Sequence, residues 1–295
     1  MDRLSTTETR NPKSMRIDVM EPIDIVRLMN DEDRLVVDAV AKAAPGIARG
    51  IEMMAATLRE GRRVYYVGAG TSGRLGLLDA VELLPTFGVG SESVRVILAG
   101  GEQAVYSPVE GAEDDEEQGA REVEQKAQAG DLVIGIAASG ATPFVAGSLK
   151  AARRIGAKTI GVVCNANSPI EKLVDLAITV VVGPEVITGS TRLKAGTAQK
   201  MVLNMISTGA MVRLGKVYQN LMVDVQATNR KLRERARRIV ADATGAVAEQ
   251  AAAALADAGG EVKTAIVMLK RGVDAGEARR LLAGAGGSIR RVLGD

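Results

Sequence analysis

Residues 64–76 read V-Y-Y-V-G-A-G-T-S-G-R-L-G, an apolar run followed by a loop that is rich in glycine and hydroxyl groups. The pattern predicts a buried strand that leads directly into the N-terminus of a helix. Glycines allow the backbone to approach an anion closely, and the free N–H groups of a helix N-terminus favour phosphate. The stretch therefore predicts a phosphate-binding loop, whose candidate contacts are Thr71, Ser72 and Gly73.

The same loop also fits a dinucleotide-binding fingerprint, because Gly68, Gly70 and Gly73 have the spacing G-x-G-x-x-G. That interpretation requires an acidic residue about 20 residues further on, at the end of the second strand. The second predicted strand, 94–99, is instead followed by two glycines, and Glu102 comes too late. This arrangement disfavours NAD, and an NAD-dependent dehydrogenase ranks last among the alternatives.

Apolar runs alternate with helical patterns around this loop, as is typical of a parallel sheet with helices on both faces. Strands are expected at 63–67, 94–99, 131–137, 159–164 and 176–182. Helices are expected at 23–59 with a break near Pro45, and at 75–84, 118–129, 143–155, 170–174, 193–214, 221–240, 246–257, 261–270 and 275–283. The predicted fold class is α/β: a three-layer domain around a five-stranded parallel sheet, followed by a small C-terminal helical bundle.

The same patterns divide the chain into four predicted parts. Residues 1–52 are expected to form an N-terminal arm with helices, of which 1–22 are polar and extended. Residues 53–216 are expected to form the sheet domain and 217–244 a connecting helix. Residues 245–295 are expected to form a C-terminal helical subdomain that is similar to UBA domains.

The composition of the 295 residues limits the chemistry that the chain can perform. It contains no histidine and one cysteine, Cys164, which excludes a Ser-His-Asp triad, a Cys-His pair and a histidine-ligated metal. Proton transfer near neutral pH must therefore use carboxylates or lysines. A net charge of +2 and 2% aromatic residues argue against nucleic acid as the main partner. The single cysteine, the polar N-terminus and the lack of a long apolar run predict a cytoplasmic location and no membrane partner.

A second loop of the same design follows the third predicted strand. It contains Ser139, Gly140 and Thr142 and stands directly before a predicted helix. Because the carboxyl ends of parallel strands lie at one edge of the sheet, the two loops are expected to bind one phosphate together. The alternative is that these hydroxyl groups only cap their helices.

A third candidate anion site precedes the long helix at 193–214. Its sequence, T-G-S-T-R-L-K at 188–194, offers Ser190, Arg192 and Lys194 as phosphate or sugar contacts. The alternative is again a capped and solvated helix start.

Two acidic features complete the candidate site. Glu82 follows the first loop along its helix, from which a carboxylate can reach a bound sugar, although an isolated glutamate more often lies on a solvated face. The run E-G-A-E-D-D-E-E at 110–117 is more simply explained as a helix start that is favourable with the helix dipole.

Several motifs together resemble the SIS domain of phosphosugar-binding proteins, which glucokinase regulatory proteins share. More specifically, nearly the whole chain resembles the family of N-acetylmuramic acid 6-phosphate etherases. The motifs are G-A-G-T-S-G-R-L-G at 68–76, P-T-F-G-V at 85–89, V-E-G-A-E-D-D at 109–115, G-I-A-A-S-G at 135–140, G-P-E-V at 183–186, T-G-S-T-R-L-K-A-G-T-A-Q-K at 188–200 and G-K-V-Y-x-N-L-M-V-D-V-x-A-T-N at 215–229.

The resemblance implies a carbon–oxygen lyase of cell-wall amino-sugar catabolism and recycling that needs neither a metal nor an organic cofactor. The reaction would cleave the D-lactyl ether of N-acetylmuramic acid 6-phosphate with water, by elimination and then hydration, giving N-acetylglucosamine 6-phosphate and D-lactate. By the same resemblance, Glu82 is the proton donor to the lactate oxygen and Glu113 the second carboxylate, assigned to proton abstraction. A homodimer is also implied.

The chain departs from the family pattern near these motifs. Leu83 and Leu84 stand where the family has Cys-Pro, Ala141 stands for an Arg, and N-A-N at 165–167 stands for N-P-G. Both glutamates are present. Two other functions stay open at this point: a catalytically silent phosphosugar sensor and an aldose–ketose phosphosugar isomerase.

Overall fold

The structure, a computed structural model, describes residues 5–225 and 230–294. It contains two compact units: Met1–Ala80 with Ser91–Ser207, and Val81–Gly90 with Thr208–Asp295. The domain limits expected from the sequence, at residues 52, 216 and 244, remain a prediction. No helix in the described part of the chain is both long enough and apolar enough to cross a membrane.

The first unit is built around a parallel sheet. Its strands are β1 (Val64–Gly68), β2 (Val94–Leu98), β3 (Leu132–Ala137), β4 (Lys158–Val163) and β5 (Leu176–Thr179). They lie in the order β2-β1-β3-β4-β5, and all neighbours are parallel. Every residue of β1 and β3 is buried, because these strands are covered on both faces and need no polar side. The predicted five-stranded parallel sheet is confirmed.

Seven α-helices in the described residues belong wholly or partly to this unit. They are α1 (Pro22–Lys42), α2 (Ala44–Arg59), α3 (Gly70–Phe87), α4 (Gln103–Tyr106), α5 (Glu116–Lys126), α6 (Pro143–Arg154) and α7 (Lys194–Arg213). The sequence did not predict α4, and α3 continues three residues beyond its expected end, through Pro85. Helices α3 and α7 each continue into the second unit.

One face of the sheet is covered by α5 and α6. Val123 of α5 and Phe144 of α6 share a core with Tyr65 of β1 and Val133 of β3. Consecutive strand residues point to opposite faces, so Tyr66 lies on the other side of the sheet.

On that opposite face, Tyr66 Oη donates a hydrogen bond to the carboxylate of Asp79 on α3 (2.8 Å). Asn204 Nδ2 and Ser207 Oγ of α7 donate to the same buried carboxylate, at 2.6 and 3.0 Å. Burial and the neighbouring Asp79 raise the pKa of Tyr66, which keeps its phenol protonated as a donor. These bonds attach α3 and α7 to the sheet, so the predicted three-layer arrangement is confirmed.

Helices α5 and α6 are in unusually close contact. A Cβ atom on Gly119 of α5 would lie 2.0 Å from the Phe144 oxygen, and one on Gly147 of α6 would lie 2.0 Å from the Glu116 oxygen. Both positions therefore require glycine, and their contact fixes the segment that precedes α5.

In its described residues the second unit contains a small hairpin and five further α-helices. These elements are β6 (Val217–Tyr218), β7 (Leu221–Met222), α8 (Arg230–Thr244), α9 (Ala248–Asp257), α10 (Val262–Arg271), α11 (Ala275–Gly284) and α12 (Ile289–Leu293). Their buried side chains form one apolar core that runs from Tyr218 to Val292. The predicted C-terminal helical bundle is confirmed, with α12 as an addition.

The helix expected over 221–240 is wrong at its beginning. Leu221 pairs with Tyr218 in an antiparallel hairpin, and the helix starts at Arg230, after four residues that lie outside the described ranges. The cause is the turn between the strands, where Gln219 has a positive φ of 54°. Such a conformation suits a two-residue hairpin turn, and the flanking valine and tyrosine favour strand.

Replacing Gly147 by alanine is expected to destabilise the first unit by about 1–3 kcal/mol, since the added methyl group overpacks the α5–α6 contact. The free energy of unfolding in urea measures the effect. Gly46→Ala is the matched control, because a Cβ there meets nothing closer than 3.6 Å. This control should be neutral or stabilising by up to about 1 kcal/mol. Equal stabilities of the two variants would contradict the interpretation.

Candidate active site

The turn from β1 into α3 brings the first predicted loop to the carboxyl edge of the sheet. A Cβ atom on Gly68 would lie 2.7 Å from the Gly73 nitrogen, and one on Gly73 would lie 2.7 Å from the Gly68 oxygen. Only glycine fits at either position. Thr71 and Ser72 consequently occupy the first turn of α3, where backbone N–H groups have no acceptor within the helix.

The second loop starts beside the first, because β3 is the neighbour of β1 and Ile136 pairs with Gly68. The hydroxyl groups of Ser139 and Thr142 lie 3.4 Å apart. Thr142 occupies the N-cap position of α6, and yet among the described residues its side chain makes no capping hydrogen bond. The capping alternative therefore does not account for Thr142, whose hydroxyl is paired with that of Ser139 on the candidate loop.

Gly140 gives the second loop its shape. Its φ is 70°, and a Cβ there would lie 2.3 Å from Cβ of Ser168. The carbonyl of Gly140 accepts a hydrogen bond from the Ile170 N–H (3.0 Å), which anchors the loop to the turn after β4. The two loops and their glycines thus form one surface at the carboxyl edge of the sheet.

Glu113 lies next to the second loop. Its backbone oxygen accepts a hydrogen bond from the Phe144 N–H in the first turn of α6 (3.0 Å). Its side chain is exposed, and within residues 5–225 and 230–294 its carboxylate makes no hydrogen bond or ion pair. The rest of the acidic run is used structurally: Asp115 accepts from Gln118 N at the start of α5, and Glu116 pairs with Lys150. Asp115 and Glu116 therefore fit the helix-start explanation, and Glu113 does not.

Glu82 lies on the part of α3 that belongs to the second unit. Its side chain is exposed, and its carboxylate has no partner among the described residues. The helix contains Pro85 in the turn after Glu82, and proline has no backbone N–H to donate. The Glu82 carbonyl instead accepts a hydrogen bond from Thr86 Oγ1 (2.8 Å). Both loops and Glu113 belong to the first unit, so the pairing of the two glutamates remains a prediction.

The start of α7 differs from the anion site that the sequence suggests. The buried carboxylate of Glu185 accepts hydrogen bonds from the backbone N–H groups of Lys194 (3.0 Å) and Ala195 (2.9 Å). Burial raises the pKa of Glu185 despite these bonds. The helix terminus therefore already has a carboxylate from the chain itself. Ser190 is half-buried and Arg192 is exposed, so these two side chains remain candidates.

Lys194 has a different role from the predicted phosphate contact. Its side chain is 2% exposed, and its Nζ lies 2.6 Å from Glu32 Oε2 on α1. Glu32 also accepts from Lys13 Nζ (2.9 Å) and Asn11 Nδ2 (2.8 Å). Burial alone would raise the pKa of Glu32, but these three donors outweigh it and lower the pKa to about 2. The ammonium of Lys194 thus holds the fold together.

The N-terminal arm contacts the segment before α7 and reaches the second loop through Asn165, which the sequence did not predict. The buried Thr7 donates its N–H to Asn165 Oδ1 (3.3 Å) and receives the N–H of Gly189 on its own oxygen (3.2 Å). Asn165 Nδ2 in turn donates to Thr7 Oγ1 (3.0 Å) and to the Ala138 oxygen (3.1 Å). The only signal for this contact was the position of Asn165 at the end of a strand.

The arm is also not extended as expected. Its described residues, 5–22, contain three 3₁₀ turns, Thr6–Glu8, Pro12–Ser14 and Ile17–Val19. At the second turn the Asn11 side chain accepts from the Lys13 N–H (3.0 Å). Proline and a preceding asparagine favour such a turn, so this part of the arm has a defined local structure.

A parallel sheet of this order with two hydroxyl-rich loops at its carboxyl edge defines a SIS-type protein. Two family models match the chain: Glucokinase regulatory protein N-terminal SIS domain over residues 46–153, and SIS domain over residues 109–208. A solved phosphoheptose isomerase from Francisella tularensis superposes with a TM-score of 0.52 at 16% identity, covering 65% of this chain and 100% of its own. At that identity the likeness shows the fold alone.

Proteins of similar sequence show which family the chain belongs to. N-acetylmuramic acid 6-phosphate etherase 1 of Bacillus licheniformis is 53% identical, over 98% of this chain and 95% of its own length. The N-acetylmuramic acid 6-phosphate etherase of Serratia proteamaculans is 54% identical, over 97% of each chain. The chain belongs to the N-acetylmuramic acid 6-phosphate etherase family. The resemblance stated from the motifs, and the expectation of an enzyme, are confirmed.

Replacing Glu32 by glutamine is expected to destabilise the protein by about 3–5 kcal/mol at pH 7, because the buried Lys194 ammonium loses its counter-ion. The pKa of Glu32 is lowered in the folded state, so its contribution to stability is complete above about pH 4.5 and is lost as the pH falls towards 2. The difference in unfolding free energy between wild type and variant should shrink over that range, which urea titrations at several pH values measure.

Asp31→Asn is the control for this experiment. Asp31 is the neighbour of Glu32 on α1 and forms an exposed ion pair with Arg34 (2.8 Å). Exposed pairs contribute about 0–1 kcal/mol, so the control should change little at any pH. A Glu32→Gln variant as stable as the control would refute the role assigned to the buried pair.

Proposed function

We propose that this chain cleaves the D-lactyl ether of N-acetylmuramic acid 6-phosphate with water, giving N-acetylglucosamine 6-phosphate and D-lactate. The observation that carries the proposal is the identity of 53–54% over nearly the full length with proteins that bear this name. The neighbouring hydroxyl-rich loops and the adjacent Glu113 support it. The lyase class and a role in amino-sugar catabolism and recycling follow from the same proposal.

The substrate phosphate binds to the two loops. Thr71 and Ser72 contribute hydroxyl groups and backbone N–H groups at the start of α3, which favour an anion. The Gly73 N–H already donates to the Ala69 carbonyl (3.2 Å), so Gly73 contributes the close backbone approach that shapes the loop. Ser139, Gly140 and Thr142 contribute the second set of donors from the adjacent strand end. Ser190 and Arg192 are proposed as additional sugar or phosphate contacts, and Lys194 is omitted because its ammonium binds Glu32.

The proposed chemistry is an elimination followed by a hydration. In the open-chain sugar, the aldehyde acidifies the hydrogen on the adjacent carbon C2, and the lactyl ether oxygen is bound to C3. Glu113 removes the C2 proton, the C2=C3 double bond forms, and the C3–O bond breaks while Glu82 protonates the departing lactate oxygen. Water then adds its hydroxyl to C3, and C2 regains a proton.

This sequence of steps requires two carboxyl groups in opposite protonation states, one as base and one as acid. Histidine, the usual residue for such proton transfers at neutral pH, is absent from the chain. Glutamates are therefore the natural choice, and the chain retains both that the family resemblance assigns.

We also propose that the enzyme is a cytoplasmic homodimer in which each site can be completed across subunits. Helix α1 supports a second copy as partner, because Ile23, Val26 and Val37 are 55%, 62% and 58% exposed. Exposed apolar side chains grouped on one element are typical of contact surfaces. Sedimentation at micromolar concentration should give twice the mass of the chain, and a monomer at that concentration would contradict the proposal.

Replacing Glu82 by glutamine is expected to lower D-lactate release by at least about 10²-fold, since positioned acids contribute about 10²–10⁴ to the rate. Binding of N-acetylglucosamine 6-phosphate should stay near wild type, because the phosphate loops are intact. A coupled D-lactate assay and calorimetry measure the two quantities.

Glu110→Gln is the control, since Glu110 is an exposed acid in the same run as Glu113. It should keep the wild-type rate. Full lactate release by Glu82→Gln would overturn the role of Glu82. A wild-type chain that binds the phosphosugar without releasing lactate, or only isomerises it, would overturn the proposed function in favour of a sensor or an isomerase.

A further inference from the structure

Gln199 on α7 is buried against the first phosphate loop. Its side-chain oxygen Oε1 accepts a hydrogen bond from the hydroxyl of Ser72 (2.9 Å). Gln199 is only 1% exposed, and its Nε2 has no hydrogen-bond partner within the described part of the chain. A buried amide N–H without an acceptor costs about 1–3 kcal/mol. The amide therefore has an unused donor directly beside a candidate phosphate contact.

The Ser72 hydroxyl has one proton and can give it to only one acceptor. As long as that proton points to Gln199, the lone pairs of the Ser72 oxygen point to any anion in the loop, which is repulsive. Turning the Gln199 amide by half a turn exchanges Oε1 and Nε2. In that orientation Nε2 donates to the Ser72 oxygen, and the Ser72 proton is free to donate to a phosphate oxygen.

We propose that Gln199 is a positioning residue for phosphate binding: its amide donates to Ser72, and Ser72 in turn donates to the sugar phosphate. The inference rests on the proposed phosphosugar function and specifies how that site recognises the phosphate group. It gives the unused Nε2 donor an acceptor, while Oε1 gives up the Ser72 proton. A buried carbonyl oxygen without a donor is tolerated better than a buried N–H without an acceptor. In this proposal a residue of α7, Gln199, orients the Ser72 hydroxyl of α3.

The chemistry distinguishes two replacements of Gln199. Methionine has a similar length and removes both polar atoms, so the Ser72 hydroxyl loses its orientation. Glutamate keeps the shape but, when ionised, only accepts, so it holds the Ser72 proton away from the phosphate and adds a negative charge. Gln199→Glu should therefore weaken phosphosugar binding more than Gln199→Met does.

The test is calorimetric titration of the full-length chain with N-acetylglucosamine 6-phosphate and with unphosphorylated N-acetylglucosamine. Gln199→Met should weaken binding of the phosphorylated sugar about 10-fold, consistent with about 1.4 kcal/mol per tenfold change. Binding of the unphosphorylated sugar should not change. Ser72→Ala should cause a similar loss, and the double variant should lose little more, because both residues act through one hydrogen bond to the phosphate.

Ser207→Ala is the matched control. Ser207 also lies on α7 and also donates to a residue of α3, the carboxylate of Asp79, at 3.0 Å. If Gln199 acted only by packing α7 on α3, both replacements would affect sugar binding alike. The proposal predicts that Ser207→Ala keeps the wild-type affinity for the phosphorylated sugar.

The outcomes separate this inference from the function on which it rests. A wild-type chain that binds neither sugar would refute the proposed function. Wild-type affinity in Gln199→Met, additive losses in the double variant, or equal losses in Ser207→Ala would overturn the role of Gln199 alone. If Gln199→Glu fails to fold, Gln199→Met and the double variant still decide the question.

Discussion

The backbone contact between Gly68 and Gly73 is the constraint on which the candidate site depends. Neither residue can carry a Cβ atom, since each would lie 2.7 Å from the backbone of the other. The contact allows α3 to begin immediately after a central strand of the sheet. Its first turn, with Thr71 and Ser72, therefore lies beside the loop that follows β3, as the proposed shared phosphate site requires.

A buried network of charged and polar side chains fixes the start of α7. Glu32 binds Lys194 at the start of α7 and also binds Asn11 and Lys13 of the N-terminal arm. Because α7 carries Gln199, the same ion pair that fixes the helix start also fixes the amide that contacts Ser72. The network thus links the arm, α1 and α7 to the geometry of the loops.

The sequence predicted the sheet well because its strands are continuous apolar runs that end in glycine and hydroxyl residues. It failed where a long-range contact decides the outcome. Lys194 looked like a phosphate ligand because it follows Ser190 and Arg192, but its partner Glu32 is 162 residues away in the chain. Thr7 and Asn165 are 158 residues apart, and the position of Asn165 at the end of a strand does not predict which residue it binds.

The hairpin at 217–222 was missed for a different reason: a positive φ at Gln219 overrides the helical periodicity of its neighbours. The roles of Glu82 and Glu113 came from the family resemblance. The local sequence pattern alone favoured a solvent-exposed helix face for Glu82 and a charged helix start for Glu113. The structure adds that Glu113 is held at the N-terminus of α6, next to the second loop.

A crystal structure of the 295-residue chain with N-acetylglucosamine 6-phosphate bound tests the shared phosphate site most directly. We expect a phosphate group within hydrogen-bond distance of both loops, with contacts to Ser72 and Thr142 and with the Gln199 amide donating to Ser72. A phosphate bound at the start of α7, with both loops empty, would contradict it.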